Sequence, residues 1–449
     1  MGRLFGTDGV RGQANVAPMD SETIMGLGRA AAHVLGQSTG RHRVLIGKDT
    51  RISGYMIETA LASGLTSMGM DVILCGPLPT PGISFMTRSM RADAGVMISA
   101  SHNPYEDNGI KFFGHDGFKL ADETEDQIES LLDPEKIKAL RASPEKIGKA
   151  YRIEDAVGRY TVYLKSCIEK TVKFDGLRVV LDTANGAAYR VAADVFSELG
   201  AEIVTHGDNP DGKNINQDCG SLHPEVMVDL VKKHRADCGI AYDGDADRVV
   251  MCDENGSIMD GDLLLALCAI DAKERGELKG DAVVGTVMSN MGLEKALEKH
   301  GIGLKRSGVG DRYVLAEMVK HGINFGGEQS GHVIALDHNT TGDGILTSLL
   351  TLAIAVKKQK PMSSFSGLIE KFPQELINVR VKEKIPFEEL PAVTSCVAEM
   401  EEKLGSSGRV LLRYSGTEKK ARVMVECEDA KLCSEVALEL TSVVEQALK

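Results

Sequence analysis

Three carboxylates stand at alternate positions in Asp243-Gly-Asp245-Ala-Asp247-Arg248. On a turn they converge, and hard oxygen donors of this kind suit Mg²⁺ or Ca²⁺. Carboxylates this dense repel one another unless a cation neutralises them. A calcium EF-hand would start at Asp243 and end at Glu254, but its sixth position, which requires glycine, is Arg248, and Val249-Val-Met251 reads on as a strand. A second stretch, Met97-Ile-Ser-Ala-Ser-His-Asn-Pro104, is an apolar run that breaks into small polar residues and stops at proline. It reads as a strand end opening into a loop. Ser101 is a candidate nucleophile there, although no G-x-S-x-G elbow surrounds it. As a phosphoryl carrier it needs no triad. It needs a metal to neutralise phosphate, which the three aspartates would hold, and cations for the incoming group, which Arg11, Lys111 and Arg248 would supply.

Two further stretches suit a sugar phosphate. Arg413-Tyr-Ser-Gly-Thr-Glu418, with Arg422 behind it, offers two guanidiniums, hydroxyls at Ser415 and Thr417, and the Gly416 amide. These are phosphate ligands, the alternative being a hairpin turn with exposed arginines. Glu328-Gln-Ser330, flanked by glycines, puts a carboxylate and a hydroxyl on a loop, natural partners for sugar hydroxyls. His102 and His332 have a structural or solvent-facing role by default, which a place in a cleft would change. Gly207-Asp-Asn-Pro-Asp-Gly-Lys-Asn214 nearly spells a phosphate-binding P-loop. Asn214 replaces the final Ser or Thr and no amphipathic helix follows, so it reads as a turn.

These loops need a scaffold, and the chain supplies one three times. Val44-Leu-Ile-Gly-Lys-Asp-Thr-Arg51 is a buried-type strand with a polar end, and strands near 69–76 and 92–98 follow, separated by helices. The order returns at 179–186, 200–205 and 236–242, and again at 283–288, 301–306 and 323–332. Ala-Asp-x-Gly-hydrophobic recurs at 92 and 236. Alternation of this kind predicts α/β units with mixed, mostly parallel sheets. Ligands bind beyond the carboxyl ends of such strands, so three loops meeting in a central cleft would explain the polar motif that follows each third strand. After Pro361 the pattern changes to an alternating strand at 375–381, a helix, further strands and a terminal helix, a small α+β domain. The expected division is 1–152 (Ser101 loop), 153–252 (aspartate loop), 253–368 (Glu328 loop) and 369–449 (Arg413 loop). Residues 1–12 read as a Gly-rich loop.

With 449 residues the chain is too long for one core. A net charge of −13 argues against nucleic-acid or anionic-membrane binding, yet leaves room for a phosphorylated small substrate held by a few cations. The nine cysteines include no C-x-x-C pair, which fits a reducing compartment. The apolar run 345–356 is too short for a membrane span and reads as a buried helix. A soluble cytoplasmic protein is expected.

Ser99-Ala-Ser-His-Asn-Pro104, Asp243-Gly-Asp-Ala-Asp-Arg248, Gly327-Glu-Gln-Ser-Gly-His332 and Arg413-Tyr-Ser-Gly-Thr-Glu418 occur in the order of the α-D-phosphohexomutase superfamily, which the whole chain resembles. The start Phe5-Gly-Thr-Asp-Gly-Val-Arg-Gly12 and Gln329 look like its glucosamine-phosphate branch; phosphomannomutase/phosphoglucomutase relatives more often carry Met at that Gln. The resemblance implies that Ser101 is the phosphoserine and that Asp243, Asp245 and Asp247 hold one Mg²⁺ with it. It implies that Glu328 and Ser330 grip sugar hydroxyls, and that Arg413, Ser415, Gly416, Thr417 and Arg422 hold the phosphate not in transfer. Arg11, Lys111 and His332 match cleft residues that assist proton or phosphate handling, and Arg248 matches a substrate-side cation. The implied reaction interconverts glucosamine 6-phosphate and glucosamine 1-phosphate through a 1,6-bisphosphate, which also serves as primer, for UDP-N-acetylglucosamine and peptidoglycan synthesis. The partner is a hexosamine phosphate, with room for a homodimer. Phosphomannomutase/phosphoglucomutase activity, a metal-dependent sugar phosphatase and a silent sugar-phosphate binder are the alternatives. Lys419-Lys420 stand where the superfamily usually has proline, which leaves the ligands but bears on loop rigidity. Ser99 and His102 are expected to shape the Ser101 loop.

Overall fold

The computed structural model describes residues 4–6, 8–36, 40–415 and 419–448, side chains at 134 and 135 excepted. The chain forms two compact units, the larger from Met1–Thr286 and Lys305–Gly367, the smaller from Val287–Leu304 and Leu368–Lys449.

The first sheet of the larger unit uses β1 (Val10–Gln13), β2 (Arg43–Lys48), β3 (Asp71–Pro77), β4 (Ala94–Ile98), β5 (Asp107–Gly114) and β6 (Ala150–Arg152), in the order β1-β5-β4-β2-β3-β6. β2 lies parallel to β3 and β4. All five residues of β4 are buried, as a central strand covered on both faces demands. The helix Ser21–Leu35 starts where Asp20 accepts the Thr23 amide at 2.8 Å, capping a free N–H. It buries Ile24, Leu27, Ala30 and Ala31 against the core. After β4 the chain loops and returns as β5, antiparallel to it. The reading of residues 1–12 as loop is corrected here: Val10–Gln13 pair antiparallel with Asp107–Ile110 as an edge strand. Gly9 permits this, with φ +80° and a close approach at which any Cβ would lie 2.2 Å from the Ile110 carbonyl oxygen.

The plan repeats. β7 (Arg178–Asp182), β8 (Glu202–His206), β9 (Cys238–Tyr242), β10 (Val249–Asp253) and β11 (Ile258–Met259) form a sheet in the order β11-β10-β9-β7-β8. β9 is parallel to β7, and β10 returns antiparallel to β9. β12 (Ala282–Thr286), β13 (Gly303–Ser307), β14 (Phe325–Gly327) and β15 (Val333–Ala335) form the third, β13-β12-β14-β15, with β14 parallel to β12 and β15 antiparallel to β14. Each sheet is therefore mixed: parallel ladders at its centre, then an antiparallel return directly after the polar loop. The helix Gly344–Lys358 is largely buried, and among the described residues no helix is long and apolar enough to cross a membrane. Residues 207–214 form a loop with no helix before Pro224.

In the smaller unit β16 (Gln374–Arg380), β17 (Gly408–Tyr414) and β18 (Lys420–Cys427) form an antiparallel sheet, β16-β18-β17. The helices Pro391–Leu404 and Ala430–Leu448 share one apolar core with it.

Candidate active site

The loop after β4 carries Ser101, only 2% exposed and with φ +54°. A serine in the left-handed region persists only where its surroundings hold it. Here its amide donates to Ser99 Oγ at 2.9 Å, and Ser99 Oγ donates to Asp49 Oδ2 at 2.6 Å. Asp49 in turn accepts Arg51 Nε at 2.9 Å. The rest of the fully buried Arg51 guanidinium donates to carbonyls of the same loop: Ser101 at 2.9 Å, Asn103 at 2.8 Å, Asp107 at 3.2 Å, and Pro104. Asn216 Nδ2 donates to the Ser101 and Asn103 carbonyls at 2.9 and 3.0 Å.

So fixed, Ser101 Oγ donates to Asp243 Oδ2 at 2.6 Å across 142 residues of sequence. Gly244 allows the approach, since a Cβ there would sit 2.6 Å from the Ser101 carbonyl oxygen. Asp243, Asp245 and Asp247 are buried, and each offers a ligand atom within 4.8 Å of the others. Asp245 Oδ2 accepts Thr80 Oγ1 at 2.6 Å and Lys111 Nζ at 3.0 Å, and Asp247 Oδ2 accepts Lys111 Nζ at 3.3 Å. Asp245 Oδ1 and Asp247 Oδ1 are buried with no hydrogen-bond partner among the described residues. Burial, then Asp247 and Asp245, push the Asp243 carboxyl well above its ordinary range. Orphaned carboxylate oxygens on a converged all-oxygen donor set fit a hard divalent cation.

Cations ring this cluster. Burial works against the Lys111 charge, but Asp245, Asp8 and Asp247 overcome it and raise the pKa well above normal. Arg11 pairs with Asp8, and its Nε is buried without a partner among the described residues. Arg248 NH1 donates to His102 Nδ1 at 3.1 Å. Burial, with Arg248 and Arg11, brings His102 down to about 4, so it is neutral and serves as an acceptor. His332 is buried, with Nδ1 3.7 Å from Asp247 Oδ1 and Nε2 3.8 Å from Asp311 Oδ2. Burial favours the neutral ring, while Asp247 and Asp311 outweigh it and raise the pKa. The Gly342 amide donates to Nε2 at 3.0 Å, which requires a lone pair there. The Gly342 bond favours a ring with its proton on Nδ1, while Asp247 and Asp311 favour the imidazolium, so Nε2 can take up a proton only by giving up the Gly342 bond.

The loop after β14 joins the aspartate loop where Val249 N donates to the Gly331 carbonyl at 3.1 Å. Glu328 Oε1 accepts the Gly310 amide at 2.9 Å, and Oε2 accepts the exposed Ser330 hydroxyl at 3.2 Å. In the smaller unit Arg413 and Arg422 sit opposite each other on β17 and β18, each with a buried Nε lacking a partner among the described residues. Burial, then Arg422, lowers the Arg413 pKa. Two adjacent guanidiniums whose Nε donors are unpartnered among the described residues have the chemistry to take an anion. Ser415, just beyond β17, is buried; Gly416 and Thr417 lie outside the described residues.

Four family models match the chain in order: phosphoglucomutase/phosphomannomutase alpha/beta/alpha domain I at residues 2–138, domain II at 158–256, domain III at 260–372 and the C-terminal domain at 376–443. A phosphoglucosamine mutase of Citrifermentans bemidjiense is 55% identical over 448 residues, 100% of this chain and 99% of that one. The chain belongs to the phosphoglucomutase/phosphomannomutase family. Its fold matches a family protein of Burkholderia thailandensis with TM-score 0.82 at 22% identity, covering 99% of this chain and 97% of that one. It also matches an Aspergillus fumigatus N-acetylphosphoglucosamine mutase, solved in complex with GlcNAc-6P and magnesium, with TM-score 0.67 at 18% identity, covering 99% and 96%.

For this phosphohexomutase, the larger unit brings together Ser101, the three aspartates, Arg11, Lys111, Arg248, Glu328, Ser330 and His332. Ser99 orders the Ser101 loop through the Ser101 amide and Asp49, and His102 accepts Arg248. Sequence reading missed Asp8, Asp49, Arg51, Thr80, Lys119 and Asp311. The signal for Asp49 and Arg51 was present: charged residues closing the buried run Val44-Leu-Ile-Gly47 must find partners indoors.

Proposed function

We propose that the chain is a phosphoglucosamine mutase, interconverting glucosamine 6-phosphate and glucosamine 1-phosphate through phosphorylated Ser101 and the 1,6-bisphosphate. The observation that carries the reading is Ser101 Oγ, 2.6 Å from Asp243 in a carboxylate cluster with orphaned oxygens. Mg²⁺ held by Asp243, Asp245, Asp247 and the Ser101 phosphate would neutralise charge on the transferring group.

Phosphorylated Ser101 gives its phosphoryl to the sugar O1, and the P–O bond to Ser101 breaks as the bond to O1 forms. The bisphosphate turns around and returns its 6-phosphoryl to Ser101. Lys111 and Arg11 stabilise the equatorial oxygens, and Arg248 stands beside them. His332, whose Nε2 lone pair is available once the Gly342 amide lets go, is the group suited to move the hydroxyl proton. Glu328 and Ser330 grip the sugar hydroxyls. Arg413, Ser415, Gly416, Thr417 and Arg422 hold the phosphate that is not moving, in either orientation.

The proposal includes a cytoplasmic enzyme that feeds UDP-N-acetylglucosamine and peptidoglycan synthesis, primed by the bisphosphate, with domain limits near 152, 252 and 368. A homodimer is compatible with it, and light scattering decides that point. The main test is a coupled assay with glucosamine, glucose and mannose 6-phosphates, bisphosphate primer and Mg²⁺. Preferred turnover of glucosamine 6-phosphate is expected; preference for mannose or glucose 6-phosphate refutes the sugar assignment.

A further inference from the structure

Asp8 belongs to the Phe5–Gly12 stretch and is no substrate ligand in the scheme above, yet three cations meet on its single carboxylate. Oδ2 accepts Arg11 and lies 3.3 Å from Lys111 Nζ, and Oδ1 accepts Lys119. Lys119 Nζ continues to Asp311 Oδ2 at 2.5 Å, at the start of the helix Asp311–His321. Asp311 Oδ2 is the atom 3.8 Å from His332 Nε2, and the neighbouring Gly310 amide orients Glu328. Next door, Arg312 donates to both oxygens of Glu125 at 3.1 Å each, fixing the same helix end to the first α/β layer.

The charges alternate along this chain. Lys111 sits between the Asp245/Asp247 pair and Asp8, Asp8 between Lys111 and Lys119, and Lys119 between Asp8 and Asp311. Arg11, Lys111 and Lys119 in one small, mostly buried volume would repel without a central anion. Asp8 also takes one edge of the Arg11 guanidinium, which leaves the unpartnered Nε for another acceptor.

We propose that Asp8 is a positioning residue for phosphoryl transfer. It gathers Arg11 and Lys111 into a fixed cationic pair beside the aspartate cluster and, through Lys119 and Asp311, sets that pair in register with the His332 and Glu328 loop. The inference deepens the mutase reading and rests on it. Asp8→Asn keeps the size of the side chain and removes the charge that holds the cations. Turnover per phosphorylated Ser101 is expected to fall about ten-fold or more with the sugar-phosphate KM nearly unchanged, because the residues that grip sugar are elsewhere. Asp8→Glu is expected to recover part of the loss. A purely structural Asp8 would lower Tm and the folded fraction but leave turnover per phosphorylated site within about two-fold of the parent, and that result overturns the proposal. A crystal structure of Asp8→Asn tests the same point independently of activity. Arg11 and Lys111 displaced by about 1 Å or more are expected, and cations that stay in place overturn the proposal even if the unaltered enzyme proves not to be a mutase. Failure of that reading shows separately, as no glucosamine-phosphate turnover by the unaltered enzyme.

Discussion

Arg51 should be the residue whose loss couples stability most directly to chemistry. Its guanidinium is wholly buried and spends its donors on Asp49 and on four carbonyls of the Ser101 loop. In Arg51→Met the Pro104 and Asp107 carbonyls lose the guanidinium, those of Ser101 and Asn103 keep only Asn216 Nδ2, and Asp49 is left as a buried charge. Removing one partner of a buried pair costs about 3–5 kcal/mol. At roughly 2–4 °C per kcal/mol for a domain of this size, the main transition should drop by about 6–20 °C. The loss should depend on pH. Burial already raises the Asp49 pKa, with Arg51 opposing it. Without Arg51 the folded-state pKa rises further above the unfolded value. The folded variant then binds the extra proton, so its stability falls as pH rises above about 4 and through the raised pKa. The deficit against the parent should be smaller at pH 5 than at pH 8. Because the loop no longer pins Ser101, turnover at permissive temperature should fall by about 100-fold, the scale of a misplacement near 1 Å. Calorimetry at the two pH values, with mutase assays at about 20 °C, checks both parts. A variant within about 0.5 kcal/mol of the parent, or one with intact turnover, would refute the clamp.

Ser101→Ala should abolish both turnover and the trapping of labelled phosphate on the protein; retained turnover would remove Ser101 as carrier. Chelation should inactivate the enzyme and Mg²⁺ should restore it, whereas Asp245→Asn should not be restored at the same Mg²⁺ concentration. The raised Asp243 pKa means that the metal-free fold holds a proton the unfolded chain releases near 3.8, so metal-free stability falls as pH rises through that window and beyond. The Tm gain on adding Mg²⁺ should therefore be larger at pH 8 than at pH 5, and an equal gain would count against the triad as the site. Arg422→Lys keeps the charge but loses the planar fork, so KM for the sugar phosphate should rise about ten-fold with a smaller change in kcat, as steady-state kinetics would read.

Much of this was legible because local patterns are short-range. The buried run Val44–Ile46 follows from its unbroken apolar sequence, and the strand forms where that run predicts. The aspartate loop was legible because three carboxylates in five residues need neutralising wherever they are. Strand Val10–Gln13 was not, since Gly-rich residues carry no β signal of their own and pair only because β5 is already in place. The return strand β5 was hidden for a similar reason, as Asp107-Asn-Gly-Ile reads as turn until it lies against β4.

By itself, the amino-acid order determined the three α/β repeats, the polar loop after each third strand, and the residue types able to carry a phosphoryl group and hold a cation. Tertiary structure alone decided which buried charges serve those loops. Arg51 reaches its carbonyls across 50 to 56 residues, Ser101 finds Asp243 across 142, and Lys119 finds Asp311 across 192. A charged side chain can be buried only against a partner, and the partner's position in sequence is set by how sheets and helices pack rather than by any local pattern.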